Sequence, residues 1–194
     1  MSAPEILSAS LSTFALISLA EVGDKSQLVC MTLAARHRAG PVILGAAVAF
    51  ALLNALAVLF GAGVAAWVPE RVVSAAVALL FGAFGVSALL KGDVAGPAEV
   101  EELPGRSVFL TAFLLIIVAE FGDKTQLAVA GLAGSLPPWA VWSGACAALL
   151  LLSVLGAWAG RTILQRLPVR WLHRLSGALF IVFACFAAWR VVSP

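Results

Sequence analysis

Two polar cassettes interrupt otherwise apolar stretches of the chain. Glu21-Val22-Gly23-Asp24-Lys25-Ser26-Gln27 is the first, and Glu120-Phe121-Gly122-Asp123-Lys124-Thr125-Gln126 is the second. On a helix Glu21 and Asp24 stand at i and i+3 and share a face, and Lys25, at i+4, can pair with Glu21. Together the cassettes offer the carboxylates of Glu21, Asp24, Glu120 and Asp123, the hydroxyls of Ser26 and Thr125, and the amides of Gln27 and Gln126. All these ligand atoms are oxygen. Hard oxygen ligands suit Ca²⁺, Mn²⁺ or Mg²⁺ and argue against Zn²⁺ and Cu⁺. Four carboxylates less the two lysines, Lys25 and Lys124, leave a charge of −2, which one divalent cation would neutralise. Protonation of some carboxylates is the other way to balance the site, and it is also what a proton-coupled exchanger needs. Gly23 and Gly122 weaken a helix locally, and an unwound turn there would free carbonyl oxygens where they line a cavity.

Other chemistries fit less well. A network of buried salt bridges explains one Glu–Lys pair but not a seven-residue cassette present twice. An intramembrane hydrolase would need a nucleophile–His pair or a His-rich metal motif, and His37 and His173 instead sit beside arginines at the ends of apolar runs. Cys30, Cys146 and Cys185 are scattered through apolar sequence without metal-ligand spacing, so they are expected as buried small residues.

The elements that carry these cassettes are membrane spans. Of 194 residues, 62% are hydrophobic and 11% charged, against about 45–50% and about 25% in soluble domains. That composition excludes a soluble globular domain and a disordered chain. A net charge of +2 suggests no nucleic-acid partner. Six segments reach the length of about 20 apolar residues that a spanning helix needs: Leu7–Ala35, Pro41–Val68, Val72–Leu90, Ser107–Ala133, Trp139–Gly160 and Trp171–Val192. Trp67, Trp139, Trp142, Trp158, Trp171 and Trp189 all fall near the proposed ends, where amphipathic rings prefer the interface.

A shift of 99 residues superposes the chain on itself. It carries one cassette onto the other, Phe14 onto Phe113, Gly45 onto Gly144, Gly61 onto Gly160, Pro69 onto Pro168, Arg71 onto Arg170 and Phe81 onto Phe180. The chain is therefore expected to be an all-α integral membrane protein of six transmembrane helices. Residues 1–95 form a first three-helix repeat, 96–106 a cytoplasmic linker and 107–194 a second repeat. An odd number of spans per repeat inverts the second copy, as in many secondary transporters, so both cassettes should meet near the midplane. Arg36, Arg38, Lys91, Arg106, Arg161, Arg166, Arg170 and Arg174 fall on one side, eight in all, against Arg71 and Arg190 on the other. The positive-inside rule puts the eight in the cytoplasm and both termini outside. With no basic residue before the first apolar run, a cleaved signal peptide is not expected. Asn54 and its repeat mate Ser153 lie mid-span, where an interhelical hydrogen bond is the default, and Gly156-x-x-x-Gly160 suits a close helix contact.

The doubled E-x-G-D-K-[ST]-Q signature, one per three-helix repeat, resembles the family once called uncharacterised protein family 0016. That family includes the Golgi Mn²⁺/Ca²⁺ transporters of eukaryotes and small bacterial manganese exporters, and it is of the cation/Ca²⁺ exchanger type. The resemblance covers nearly the whole chain. It implies that Glu21, Asp24, Glu120 and Asp123 form a cation site assisted by Ser26, Gln27, Thr125 and Gln126, and it implies cation/proton exchange by alternating access. The expectation is a divalent-cation transporter of the bacterial inner membrane rather than an enzyme, with Mn²⁺ efflux favoured and Ca²⁺ open. No cofactor is expected: the metal is cargo, and the partners are the cation, protons and the bilayer, with oligomeric state left open. A small-metabolite exporter of the amino-acid type and a passive cation channel are the alternatives.

Overall fold

The computed structural model describes residues 3–90, 107–163 and 169–192. These form helices joined by short turns: α1 (Ala3–Glu21), α2 (Lys25–Arg36), α3 (Ala39–Trp67), α4 (Glu70–Leu90), α5 (Val108–Glu120), α6 (Lys124–Ala133), α7 (Pro138–Ile163) and α8 (Val169–Val192). The expected linker and the stretch 164–168 lie outside the described residues. Three helices among the described residues, Ala3–Glu21, Ala39–Trp67 and Pro138–Trp158, are each long and apolar enough to cross a membrane. Two of the six expected segments are divided: Leu7–Ala35 becomes α1 and α2, and Ser107–Ala133 becomes α5 and α6. Both divisions fall within the cassettes, where the glycines interrupt an otherwise apolar helix.

Burial follows the logic of a protein in lipid, where outward faces stay apolar and helix contacts use small residues. In α3 the buried side carries Gly45, Ala46, Ala49, Phe50, Leu53, Asn54 and Ala57, while Leu44, Leu59 and Phe60 are exposed. Trp67, Trp139, Trp158 and Trp189 are exposed near helix ends. Trp142 instead turns inward, and its Nε1 donates to the Ala51 carbonyl at 3.1 Å. The side chain of Trp171 lies outside the description.

Helices pack across the two halves reciprocally. α1 lies on α7 and α5 on α3, α2 on α7 and α6 on α3, while α3 meets α7 and α4 meets α8. The glycine notches share this exchange. A Cβ on Gly45 would come 2.4 Å from the Phe109 carbonyl oxygen and 3.0 Å from Ala112 Cβ, and a Cβ on Gly144 would come 2.4 Å from the Ser10 carbonyl oxygen and 3.0 Å from Thr13 Cβ. Each residue of the first contact matches one of the second at the 99-residue offset. Only glycine permits so close a backbone approach. Phe81 and Phe180, also offset mates, have ring centroids 5.6 Å apart where α4 meets α8.

Candidate functional site

Each cassette folds as a helix end, a tight turn and a helix start. Helix α1 ends at Glu21 and α5 at Glu120. The Asp24 N–H donates to the Glu21 carbonyl at 3.1 Å, and the Asp123 N–H to the Glu120 carbonyl at 3.2 Å. Gly23 (φ 84°) and Gly122 (φ 77°) are the only positive-φ residues among those described. With Phe121 at φ −65° and ψ 116°, the second turn is type II, which requires φ > 0 at its third residue and so favours glycine there.

The glutamines lock these turns. Gln27 Oε1 accepts the Gly23 N–H and Gln126 Oε1 accepts the Gly122 N–H, both at 2.7 Å. Their amide nitrogens cross to the opposite half: Gln27 Nε2 donates to the Leu152 carbonyl at 3.3 Å and Gln126 Nε2 to the Leu53 carbonyl at 3.4 Å. Gly156 admits Gln27, since a Cβ there would lie 2.9 Å from Gln27 Cγ. Expected from sequence as metal ligands, the glutamines here satisfy backbone groups that the broken helix would orphan. Asp24 and Asp123 occupy the N-cap positions of α2 and α6, yet neither side chain makes a capping hydrogen bond. Their carboxylates remain for other partners.

The turns bring the acidic groups together. Carboxylate oxygens of Glu21, Asp24 and Asp123, one from each, all lie within 4.8 Å of one another. Thr125 Oγ1 donates to Glu21 Oε1, and Ser26 is the hydrogen-bonding partner of Glu120. Each hydroxyl therefore serves the glutamate of the opposite cassette. Lys124 Nζ lies 3.0 Å from Asp24 Oδ2 and 3.5 Å from Glu21 Oε1. Glu21 thus has a lysine from the other half of the chain beside it. The side chain of Lys25 lies outside the described residues. Glu120 is buried but is not one of the three clustered carboxylates.

Glu21 is 1% exposed, and its second oxygen, Oε2, is buried without a hydrogen-bond partner. A buried carboxylate oxygen in that condition is costly unless something cationic or a proton meets it. Two helix C-termini, with their partial negative charge, also end at this site. Oxygen-only groups, clustered carboxylates and an unsatisfied buried oxygen make an arrangement able to hold a hard cation or protons.

Several contacts near the site were not legible as such in sequence. Asn54 Nδ2 donates to Cys146 Sγ at 3.5 Å, making the expected interhelical bond between α3 and α7 with a partner that sequence did not name. Ser153 hydrogen-bonds Cys30, which is buried. The offset pairing of Gly45 with Gly144 was the one sequence signal for the reciprocal notches.

The family described as divalent cation/proton antiporter GDT1 matches residues 9–95 and 108–193. A GDT1-like protein of Synechocystis is 28% identical over 92% of this chain and 95% of its own. A putative manganese exporter of Vibrio cholerae is 28% identical over 89% and 86%. The divalent cation/proton antiporter GDT1 of Saccharomyces cerevisiae is 24% identical over 90% and 81%. No solved structure matches.

Proposed function

The chain belongs to the family of divalent cation/proton antiporters, and on that premise we propose that it exports Mn²⁺ across the bacterial inner membrane in exchange for protons. The observation that carries the site is the Glu21–Asp24–Asp123 cluster with the buried, unpartnered Glu21 Oε2. All-oxygen donors favour Mn²⁺ or Ca²⁺ over softer-ligand metals. The name of the Vibrio cholerae relative favours manganese and the export direction.

The cation contacts Glu21, Asp24 and Asp123, with Glu120 as the fourth carboxylate. Thr125 and Ser26 orient Glu21 and Glu120. Gln27 and Gln126 hold the turns, with ligation through their remaining lone pairs as a secondary contribution. Cytoplasmic Mn²⁺ binds as carboxylate protons leave, the two halves rock, and the ion departs outward as protons return. Burial makes proton exchange a natural counterpart, because a buried carboxylate without a cation is best neutralised.

In the membrane we read six crossings: α1 with α2, α3, α4, α5 with α6, α7, and α8. Residues 1–95 and 107–194 are then inverted repeats joined by a cytoplasmic linker at 96–106. Support comes from the 99-residue offset, the reciprocal notches at Gly45 and Gly144, and the family match in two segments. Broken helices at a midplane site are a recurrent transporter device. The basic-residue asymmetry favours both termini outside.

The test is metal flux in proteoliposomes under an imposed pH gradient, with Mn²⁺, Ca²⁺, Mg²⁺ and Zn²⁺ in turn. Mn²⁺ flux should reverse direction when the gradient is reversed. Flux indifferent to the gradient would indicate a passive channel, and amine-metabolite flux that Mn²⁺ does not compete with would indicate a metabolite exporter.

A further inference from the structure

Lys124 occupies an unfavourable position for a cation. It is the first residue of α6, at the helix end whose partial positive charge repels ammonium. Its neighbours account for that position: Nζ sits 3.0 Å from Asp24 Oδ2 and 3.5 Å from Glu21 Oε1. Asp123 and Glu120 also lie within its electrostatic reach. The carboxylates of α1 and of the two turns hold it there. Its side chain is still 30% exposed, so the flexible four-carbon stem has a way out.

A divalent ion bridging Glu21 and Asp24 must approach their oxygens to about 2.0–2.6 Å. An ammonium at its present place would then face a double positive charge at close range across the carboxylates they share. The two cations claim the same pair of carboxylates, Glu21 and Asp24.

We propose that Lys124 is a tethered competitor for the transported cation: its ammonium takes the Glu21 and Asp24 oxygens, withdraws when the metal binds, and returns to help expel it. The proposal rests on the reading that these carboxylates hold the metal. Its consequence is that Lys124 sets affinity low enough for release, at the expense of tight binding. Supplied from the opposite half of the chain, the competitor also links occupancy of the α1–α2 turn to the position of α6.

The test compares Mn²⁺ binding and transport in full-length wild type, Lys124→Met, Lys124→Arg and Glu21→Gln. Binding is read from MnCl₂-dependent thermal stabilisation and calorimetry of detergent-purified protein, and transport from proteoliposome flux. Lys124→Met should bind Mn²⁺ at least about tenfold more tightly, because a repulsive charge is removed from close range. Its KM should fall together with its maximal rate, a split that a purely structural lysine would not produce. Lys124→Arg keeps the charge and should stay within about threefold of wild-type affinity. If Lys124→Met folds poorly, Lys124→Gln provides a second neutral side chain for the same comparison. Equal or weaker binding by the neutral variants, with binding lost in Glu21→Gln, overturns the competitor role and leaves the site intact. Wild-type binding by Glu21→Gln overturns the site itself.

Discussion

Thr125 Oγ1 donates its hydrogen bond to Glu21 Oε1 across 104 residues of sequence, from one half of the chain to the other. Neither residue has this partner within its own cassette. The bond joins the start of α6 to the end of α1 and leaves Glu21 Oε2 as the open oxygen. Removing the hydroxyl therefore frees the glutamate to rotate and leaves Oε1 with only the more distant Lys124 ammonium beside it. Hydrogen bonds to charged groups contribute about 1.5–3 kcal/mol, so Thr125→Ala should weaken Mn²⁺ transport by roughly tenfold or more, and Thr125→Ser should restore most of it. Flux at several Mn²⁺ concentrations is the measurement. Equal transport by Thr125→Ala would show that the bond does not orient the carboxylate.

Glu21→Gln and Glu120→Gln should each abolish transport, although the residues stand 99 apart in sequence. Glutamine keeps the shape and hydrogen-bonding capacity but removes the charge and the exchangeable proton. Both variants should reach the membrane, because deleting a buried charge relieves its desolvation cost. Protection of manganese-sensitive cells, with abundance measured in parallel, checks the outcome. Full protection by either variant would dissolve the single shared site.

Gly45→Ala and Gly144→Ala should destabilise the protein by similar amounts, on the order of 1–3 kcal/mol each. The added Cβ in each case would meet a backbone carbonyl oxygen at 2.4 Å, and backbone cannot swing aside. Gly63, where a Cβ would meet nothing within 4 Å, is the control: alanine there should be neutral or slightly stabilising through helix propensity. Thermal unfolding of detergent-purified protein reads all three.

Gly122→Ala should cost about 1–2 kcal/mol through backbone strain alone. Its φ is 77° and no atom crowds its missing Cβ, so the loss cannot come from a clash. Gln126→Leu should cost more, because it leaves the Gly122 N–H without its partner and removes the bond to the Leu53 carbonyl that ties the turn to α3. A Gln126→Leu variant as stable and active as wild type would remove the glutamine from its role as the lock of the turn.

Mn²⁺ or Ca²⁺ should outcompete Zn²⁺ during transport, despite the greater intrinsic affinity of Zn²⁺ for nitrogen and sulfur sites. Competition in proteoliposomes decides it. Zn²⁺ as the best substrate would overturn the all-oxygen site and draw attention to buried Cys30, which hydrogen-bonds Ser153 and lies within electrostatic reach of Glu120.

Much of this protein was legible in the chain alone, and for a definite reason. Membrane solubility is set by composition, and 62% hydrophobic residues admit few alternatives to apolar helices. The two cassettes were visible because charged residues inside apolar runs are too costly to be accidental. The offset that aligns them also anticipated which helices would share a pattern of contact, and the glycines marked where a helix could break. Partner choice was different. Sequence spacing speaks only for neighbours on one helix, so it paired Glu21 with Lys25. The fold gives Glu21 the hydroxyl of Thr125 and the ammonium of Lys124, both from the other half of the chain. Similarly, Gln27 and Gln126 read as ligands by their chemistry, but two broken helices left backbone groups that only nearby amides could satisfy. Which carboxylates cluster, and that Glu21 Oε2 stays unpartnered, depends on how closely α1 approaches α6 and α7. That approach is decided by the packing of small residues from distant parts of the chain, where a single added methyl group would collide with backbone.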